Sequence, residues 1–400
     1  MQIKNNRKLK VVWLCWFANE QMNTYFNKKV DGFAPWINNL IKLFESKEDV
    51  ELHIVSPNVF NNKNYSFRVK NIKYHFYKHS FVLPYRVYNK LRINDRSNFI
   101  FIQSTIVKII KRINPDLIHL HGAENPIYSI GILPLLNKYP CLTTIQGFIS
   151  LDQQANNPVN IVRKRIELKI LKKNRNFGVR TNDMCNYISS INKHAKFFWH
   201  HYPFTKPQIF EEITLKKEFD CVFFGRVAPE NGVDELLRAI AIVKEIKQDI
   251  SLIIVGPVGN SYRQYLESIC SALDINTNVK FTGFLQDQQD AFKNVIKAKM
   301  DVLPTQYDII PGSILECMSM GVPVICYSVG GIPELNKERQ SVLLVEKGNI
   351  KGLAQEILSL LKNPSFADEI IVNAKITVRQ FYDYNMIYED LLNIYNTLTS

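Results

Sequence analysis

The segment DVLPTQYDIIPGSILECMSMGVPVICYSVGGIPE, residues 301–334, decides how the rest of the chain is interpreted. Residues 301–303 are a short apolar run that stops at Pro304, which predicts a buried strand ending in a loop. The turn PGS at 311–313 then precedes residues 314–320, which have a helical pattern. A strand, a glycine-containing turn and a helix N-terminus together form a site for anions, because the first N–H groups of a helix have no internal partner.

Two acidic side chains flank this predicted anion site. Asp308 precedes the turn, and Glu316 lies one turn into the predicted helix. Carboxylates repel phosphate, but they accept hydrogen bonds from sugar hydroxyls. We therefore expect a ligand that carries both phosphate and sugar hydroxyl groups.

The same segment resembles the donor-site signature of the retaining nucleotide-sugar glycosyltransferases of family 4, which have the GT-B fold. Their pattern is an acidic residue, seven further residues and Glu, followed by A-M-x-x-G-x-P-V-I and G-G-x-x-E. Asp308 stands in the first acidic position, which is usually Glu, and residues 317–325 follow the middle of the pattern. The alternative is a structural strand–helix unit of another α/β protein.

Two more loops in the C-terminal half resemble donor-binding loops of this family. GRVAPENG at 225–232 is similar to a G-R-L…K-G loop in which Arg and Lys bind the donor diphosphate; Arg226 matches, whereas Asn231 replaces the usual Lys. VKFTGFL at 279–285 matches the V-x-F-x-G-x-L loop that holds the nucleotide base. The alternatives are a surface ion pair for Arg226 and core packing for Phe284.

The resemblance implies a role for each matching residue. Asp308 would hold a hydroxyl of the donor sugar, Arg226 would stabilise the leaving diphosphate, and Glu316 would hold the ribose; these three form the implied catalytic set. The implied donor-binding set consists of Gly225, Asn231, Gly283, Phe284, Pro311, Gly312, Ser313, Ile314 and Leu315. The donor is a substrate, so no cofactor is implied, and no metal is expected because the chain lacks a DxD motif.

Strand ends in the N-terminal half supply candidates for binding the acceptor. Residues 117–120 and 141–145 predict strands, and ligands bind at the carboxyl ends of strands in parallel sheets. The segments after these strands also resemble a subgroup of the family from bacterial surface-polysaccharide gene clusters. The alternative is strand-end residues satisfied by the backbone. The predicted acceptor-side group consists of His121, Glu124, Gln146 and Gly147.

Alternating strands and helices over 400 residues predict an α/β protein with two Rossmann-like, doubly wound domains. The proline-containing segment YPFTKP at 202–207 marks the linker. We predict an acceptor-binding domain at 1–205 and a donor-binding domain at 206–380. In the GT-B fold two such domains face each other across a cleft, and the resemblance implies a helix at 381–400 that crosses back to the first domain.

Charge is divided unequally between the two halves. Residues 1–205 contain 31 Lys and Arg against 12 Asp and Glu, whereas residues 206–400 contain 19 against 25. The basic helix predicted at 161–175 therefore suggests peripheral contact with an anionic membrane; the alternative is a solvated face of a helix packed on the core. No apolar run is long enough to span a bilayer, and the seven cysteines show no paired spacing, so we expect a cytoplasmic protein.

The expected activity is transfer of a sugar, from a nucleoside diphosphate donor that is usually UDP-linked, to a glycan or lipid-linked acceptor with retention of configuration. The alternative is a hydrolytic, epimerising or non-catalytic relative that binds nucleotide sugar or anionic lipid. Residues 18–23 replace a glycine-rich loop that many family members have after the first strand. An NAD-linked enzyme is disfavoured because no GxGxxG follows that strand, and no motif supports binding to nucleic acid.

Overall fold

The computed structural model describes residues 8–16, 25, 27, 35–58, 63–79, 93–151, 156–205, 207 and 216–400. The chain forms two compact units, Met1–Pro203 with Tyr384–Ser400, and Phe204–Asp383. The division falls two residues before the boundary predicted after residue 205. The atypical loop noted at 18–23 lies outside the described residues.

Within the described ranges the elements alternate as predicted. The strands are β1 (Leu9–Leu14), β2 (Val50–Pro57), β3 (Tyr65–Val69), β4 (Ile72–Tyr77), β5 (Leu117–His121), β6 (Cys141–Thr144), β7 (Asn176–Val179), β8 (Lys196–Trp199), β9 (Phe219–Phe224), β10 (Leu252–Val255), β11 (Val279–Gly283), β12 (Ala298–Leu303), β13 (Val324–Tyr327) and β14 (Leu343–Val345). The helices are α1 (Pro35–Phe44), α2 (Ile93–Arg96), α3 (Ile100–Ile113), α4 (Pro158–Lys173), α5 (Asn182–Ile191), α6 (Val233–Lys244), α7 (Asn260–Ala272), α8 (Gln288–Val295), α9 (Gly312–Ser319), α10 (Ile350–Lys362), α11 (Pro364–Phe381) and α12 (Tyr384–Thr399).

The N-terminal unit is built on a sheet with the order β3-β4-β2-β1-β5-β6-β7-β8. Its pairings are parallel except for β3 with β4. Every residue of β5 is buried, as expected for a parallel strand covered on both faces. Because β2 and β5 lie on opposite sides of β1, the strand order reverses at β1 and β5, and ligands of doubly wound sheets bind at such a point.

The C-terminal unit has the sheet order β11-β10-β9-β12-β13-β14, with parallel pairings. Here the order reverses between β9 and β12. Asp301 joins these two strands, since its Oδ1 accepts a hydrogen bond of 3.2 Å from the N–H of Phe224. The prediction of two doubly wound α/β sheets is therefore confirmed, and the loops after β9 and β12 meet at the switch point of the second sheet.

Helix α12 belongs to the N-terminal unit, although the chain reaches it after the whole C-terminal unit. Its buried Ile387, Leu391 and Tyr395 lie in the same core cluster as Trp13 of β1. The Trp13 indole N–H donates to the Tyr395 hydroxyl at 2.9 Å. The helix begins at Tyr384 instead of the predicted residue 381, because residue 381 is still the last residue of α11.

Several elements were missed by the sequence analysis, among them β3 and α11. Strand β3 is a half-exposed edge strand, so it lacks the continuous apolar run that identifies buried strands. Helix α11 follows Asn363-Pro364, a pair that in sequence alone indicates the end of the preceding helix. Pro364 instead occupies the first turn of the new helix, and the Asn363 side chain accepts from the N–H of Phe366 as its N-cap.

Candidate functional site

The N-terminus of α9 is open in the way an anion site requires. Pro311 precedes the helix in an extended conformation and supplies no side-chain cap to the first N–H groups. Ile314 and Leu315 are buried and anchor the first turn on the core, whereas Gly312 and Ser313 are not fully buried. The free N–H groups and the helix dipole at this end both favour a bound anion.

The loop after β9 lies beside this helix N-terminus. Gly225 directly follows β9, and the position that a Cβ would occupy on it lies 4.0 Å from Ser313 Oγ. The structure therefore brings together two loops that the sequence analysis assigned separately to the donor diphosphate. One loop follows β9 and the other follows β12, and the strand order of the second sheet reverses between these two strands.

Arg226 and Asn231 make contacts within their own loop. The exposed guanidinium of Arg226 forms an ion pair with Glu230 at 2.6 Å between Nη2 and Oε1, which is the surface pair considered as the alternative. The Asn231 side chain donates to the carbonyl of Arg226 at 2.6 Å, and Thr305 donates to its Oδ1 at 3.4 Å. Asn231 thus braces the loop, while Arg226 remains accessible to a ligand.

Asp308 is held in place by the Gly330-Gly331 turn. A Cβ on Gly330, whose φ is +53°, would overlap the Asp308 carbonyl oxygen, so only glycine fits there. The N–H of Gly331 donates to the same oxygen at 3.3 Å. The half-buried Asp308 side chain therefore extends from a backbone position that Gly330 and Gly331 hold in place.

Glu316 is buried on α9, and Gln288 of α8 donates to its Oε1 at 2.9 Å. Burial raises the pKa of Glu316 to about 8, and the hydrogen bond from Gln288 opposes this shift. Gln288 was missed by the sequence analysis, because it belongs to no motif and only the fold places it beside Glu316.

The predicted base-binding loop follows β11. Gly283 has a φ of +69°, and no heavy atom lies within 4 Å of a Cβ built on it. Phe284 is 68% exposed, so the alternative of core packing is wrong. An exposed aromatic ring beside a glycine turn is available to stack on a base.

His121, the first residue of the predicted acceptor-side group, ends β5. It is fully buried, and its Nδ1 is hydrogen-bonded to the Tyr202 hydroxyl at 2.9 Å. Its Nε2 is buried without a hydrogen-bond partner among the described residues. The ring is thus not satisfied by backbone, and burial lowers its pKa well below the usual value, which keeps it neutral.

Glu124 and Gln146 converge on Gly122. Glu124 Oε2 and Gln146 Oε1 lie 3.1 and 3.3 Å from the position of a Cβ on Gly122, and the Tyr128 hydroxyl lies 2.9 Å from it. With a φ of +88°, Gly122 leaves room for these three oxygen atoms. Gly147 follows Gln146 with open space around its α-carbon.

The basic helix spans α4, three residues earlier than predicted at its start and two at its end. Val162, Ile166 and Ile170 are buried, so this apolar stripe packs on the core of the unit and is not available to a bilayer. The opposite face carries exposed Arg165, Lys172 and Lys173, together with Ile161.

Glu167, also on α4, is buried and holds the loop after Gly147. Its carboxylate accepts from the N–H groups of Ile149 at 3.0 Å and Ser150 at 2.9 Å. Burial raises the pKa of Glu167 to about 7. No sequence motif marks this role, since Glu167 is only one charged residue among many on a basic helix.

Two absences hold for the part of the chain that the structure describes. None of its helices combines the length and the apolar character needed to cross a bilayer. It also contains no cluster of three or more His, Cys, Asp or Glu side chains arranged to hold a metal ion.

Two family models match the chain. "Glycosyl transferases group 1" matches residues 205–377, and "Glycosyl transferase 4-like" matches residues 30–178. The first covers the loops after β9, β11 and β12, and the second covers β5, β6 and the segments that follow them.

The chain matches the following two curated relatives over less than half of their length. An uncharacterised glycosyltransferase of Methanocaldococcus jannaschii is 31% identical over 44% of this chain and 44% of the relative. A capsular polysaccharide biosynthesis glycosyltransferase of Staphylococcus aureus is 25% identical over 46% of this chain and 47% of the relative. Among solved structures, an Anabaena protein in complex with UDP and glucose superposes with a TM-score of 0.68 at 16% identity, covering 98% of this chain and 100% of that one.

Proposed function

Because this chain belongs to the family 4 type of glycosyltransferases with the GT-B fold, we propose that it transfers a sugar from a nucleoside diphosphate donor to an acceptor hydroxyl with retention of configuration. One observation carries the proposal. The uncapped N-terminus of α9 adjoins the Gly225 loop at the point where the strand order reverses. Backbone N–H groups and Arg226 at this point suit a diphosphate.

In this proposal Asp308 and Glu316 bind the hydroxyl groups of the donor. Asp308 accepts from the sugar. Glu316, which is also hydrogen-bonded to the Gln288 side chain and to the backbone of Thr205, accepts from the ribose. Phe284 stacks on the base beside Gly283. The carboxylates, the N–H groups and the exposed ring together match the three chemical parts of a nucleotide sugar.

The N-terminal unit holds the acceptor. His121, Glu124, Gln146 and Gly147 lie at or after the carboxyl ends of β5 and β6, where the strand order of the first sheet reverses next to β1. His121 Nε2 and Glu124 Oε2 are buried without partners among the described residues. An unmade buried hydrogen bond costs about 1–3 kcal/mol, so a hydroxyl-bearing ligand would be favoured there.

The chemistry follows from charge stabilisation and positioning. The bond between the anomeric carbon and the leaving phosphate oxygen breaks while the acceptor oxygen attacks on the same face. The acceptor proton passes to that leaving oxygen. Preorganised N–H groups and Arg226 stabilise the charge on the diphosphate, so neither a covalent protein nucleophile nor a bound metal or cofactor is part of the proposal.

The finer assignments have separate support. The complex of the Anabaena protein with UDP supports UDP as the nucleotide, and the capsular relative supports a role in polysaccharide or glycolipid assembly. The exposed basic face of α4 supports a cytoplasmic protein that binds anionic lipid peripherally.

One observation favours a second candidate function. Arg226 is already paired with Glu230, and Asn231 replaces a cation, which would weaken the grip on the diphosphate. A non-catalytic or hydrolytic protein that binds nucleotide sugar would have the same features.

A panel of nucleotides and labelled nucleotide sugars tests the proposal. We expect UDP and one UDP-sugar to raise the unfolding temperature, and the label to appear in a glycoside when acceptor is present. Label in free sugar alone would favour hydrolysis. No stabilisation by any nucleotide would contradict the donor site itself.

A further inference from the structure

Three adjacent strands of the N-terminal sheet end in polar side chains. β5 is followed by Glu124, β6 by Gln146, and β7 directly by Arg180. The strands are neighbours in the order β5-β6-β7, so these side chains occupy one edge of the sheet. Arg163 reaches the same edge from α4, with its Nη2 3.7 Å from Glu124 Oε1.

The edge contains a polar space, and one carboxyl oxygen beside it has no hydrogen-bond partner among the described residues. Glu124 Oε2 and Gln146 Oε1 both lie within 3.3 Å of the point where Gly122 lacks a side chain. Glu124 Oε2 is buried and has no hydrogen-bond partner among the described residues. A buried carboxyl oxygen in this situation favours a ligand that completes its hydrogen bonding.

The charge of this edge is positive. Arg180 Nη2 donates to the Gln146 carbonyl at 3.3 Å, and its guanidinium lies 5.1 Å from the centre of the Tyr202 ring. Arg163 is the second guanidinium, with about a third of its side chain exposed. Glu124 is the acidic member of the group, and burial raises its pKa, because a buried site disfavours the charged carboxylate.

We propose that Glu124, Gln146, Arg163 and Arg180 bind an anionic substituent, a phosphate or a carboxylate, carried by the acceptor. The inference rests on the proposed function, in which the N-terminal unit holds the acceptor. Guanidinium groups present paired donors that match the oxygens of both anions, whereas a neutral sugar gives them no counter-charge. The acceptor is therefore either a lipid phosphate or an acidic sugar.

Calorimetric titration of the full chain separates these sources. The probes are inorganic phosphate, farnesyl phosphate, methyl glucuronide and the neutral methyl glucoside. The variants are Arg163→Gln and Arg180→Gln, with Arg175→Gln as the matched control. Arg175 precedes β7 and Arg180 follows it, so the control removes the same charge at the opposite end of one strand.

We expect a charged probe to bind the wild type and Arg175→Gln equally, and at least about tenfold more weakly to Arg163→Gln and Arg180→Gln. Tighter binding of farnesyl phosphate than of phosphate identifies a lipid-linked acceptor, and preference for the glucuronide identifies an acidic sugar. Circular dichroism melting checks that both variants fold. If a Gln variant does not fold, the Lys variant at the same position replaces it. Lys keeps the charge but lacks the paired donors, so its affinity for the charged probe should lie between those of the wild type and of a Gln variant.

Two results overturn the inference. One is equal affinity of the charged probes for all four proteins, and the other is methyl glucoside binding as tightly as methyl glucuronide. A UDP titration of the wild type distinguishes this failure from failure of the proposed function. If UDP binds, the anionic acceptor alone is wrong; if UDP does not bind, the donor proposal is wrong and the inference falls with it.

Discussion

Asn231 occupies a position that could serve either ligand binding or the stability of its own loop. In its loop the family pattern has Lys, which would add a second cation for the diphosphate, but here the amide donates to the Arg226 carbonyl. Asn231 therefore provides a hydrogen bond within the loop, where Lys would provide a positive charge for the diphosphate. Which of these matters more can be measured.

Asn231→Lys is expected to tighten UDP binding by about threefold to tenfold, because it adds a charge near the phosphates at the cost of one hydrogen bond. Titration of UDP by calorimetry measures the change. Asn231→Met is the control, since it loses the hydrogen bond without adding charge and should weaken binding. Unchanged affinity in both variants would show that position 231 does not face the diphosphate.

If Asp308 binds the donor sugar as proposed, Asp308→Ala is expected to lower the rate of sugar transfer by about 10²–10³-fold, because the substitution removes a preorganised charged partner. The backbone contacts of residue 308 with Gly330 and Gly331 do not need the side chain, so the fold should survive. Turnover assays of the wild type and of Asp308→Ala measure this change. As a control, the variant should bind UDP with the same affinity as the wild type. Full activity in a folded Asp308→Ala protein would rule out the sugar-binding role.

Glu316 gives a dependence on pH. Its raised pKa of about 8 means that it is mostly protonated at neutral pH, whereas the ionised form is the better acceptor for ribose hydroxyls. UDP affinity should therefore rise as the pH increases from about 7 to about 9. Glu316→Gln should remove this rise. An affinity that is flat or falls with pH in the wild type would argue against the ribose contact.

At the scale of elements, apolar patterns predicted the buried strands well, because a fully covered strand such as β5 needs a continuous apolar sequence. The edge strand β3 and the helix start at Pro364 were missed, since partial exposure and proline carry ambiguous signals. The pairing of Arg226 with Glu230, and of Glu316 with Gln288, depends on loop and helix positions that a sequence pattern does not contain.

Helix α4 is the element with the clearest membrane test. Its apolar stripe is buried, so contact with lipid would depend on charge. Replacing Arg165, Lys172 and Lys173 with Gln should release the protein from anionic liposomes, with about 1 kcal/mol lost per charge. Sedimentation with vesicles of anionic and of neutral lipid measures this.

Exposed Lys138, Lys193 and Lys196 provide the matched control, since replacing them removes the same charge elsewhere on the unit. The control should still sediment with anionic vesicles. Equal loss in both triple variants would mean that net charge, and not this helix, determines lipid binding.

At the scale of the whole molecule, the two-domain architecture and the returning helix were implied by the family resemblance carried by the 301–334 segment. Composition added the uneven charge. The reversal of strand order beside β5 and beside β9 explains why candidate ligand residues gather at the same edge of each sheet.

The C-terminal unit should lose stability as pH rises. Burial raises the pKa of Asp301 to about 8 from an unfolded value of 3.8, so the folded state keeps a proton that the unfolded state has released. Its stabilising effect is present below about pH 4 and is lost as pH rises through about 8. Calorimetric melts should show a lower unfolding temperature at pH 8 than at pH 5.

Asp301→Asn should flatten this dependence, because the amide has no proton to lose and can still accept from the N–H of Phe224. Asp290→Asn, at an exposed position on α8, serves as the control and should keep the wild-type slope. An unchanged slope in Asp301→Asn would locate the titration elsewhere.

The position of α12 in the N-terminal core has a consequence for biosynthesis. A ribosome releases the strands of the first sheet early, but the side chains of residues 387–395 that help to fill its core emerge only after the second unit. The second unit, complete at Asp383, can close before the first one does. The nascent first unit therefore keeps an exposed apolar surface until α12 is made. An engineered exchange of N-terminal units between related proteins must transfer α12 together with residues 1–203.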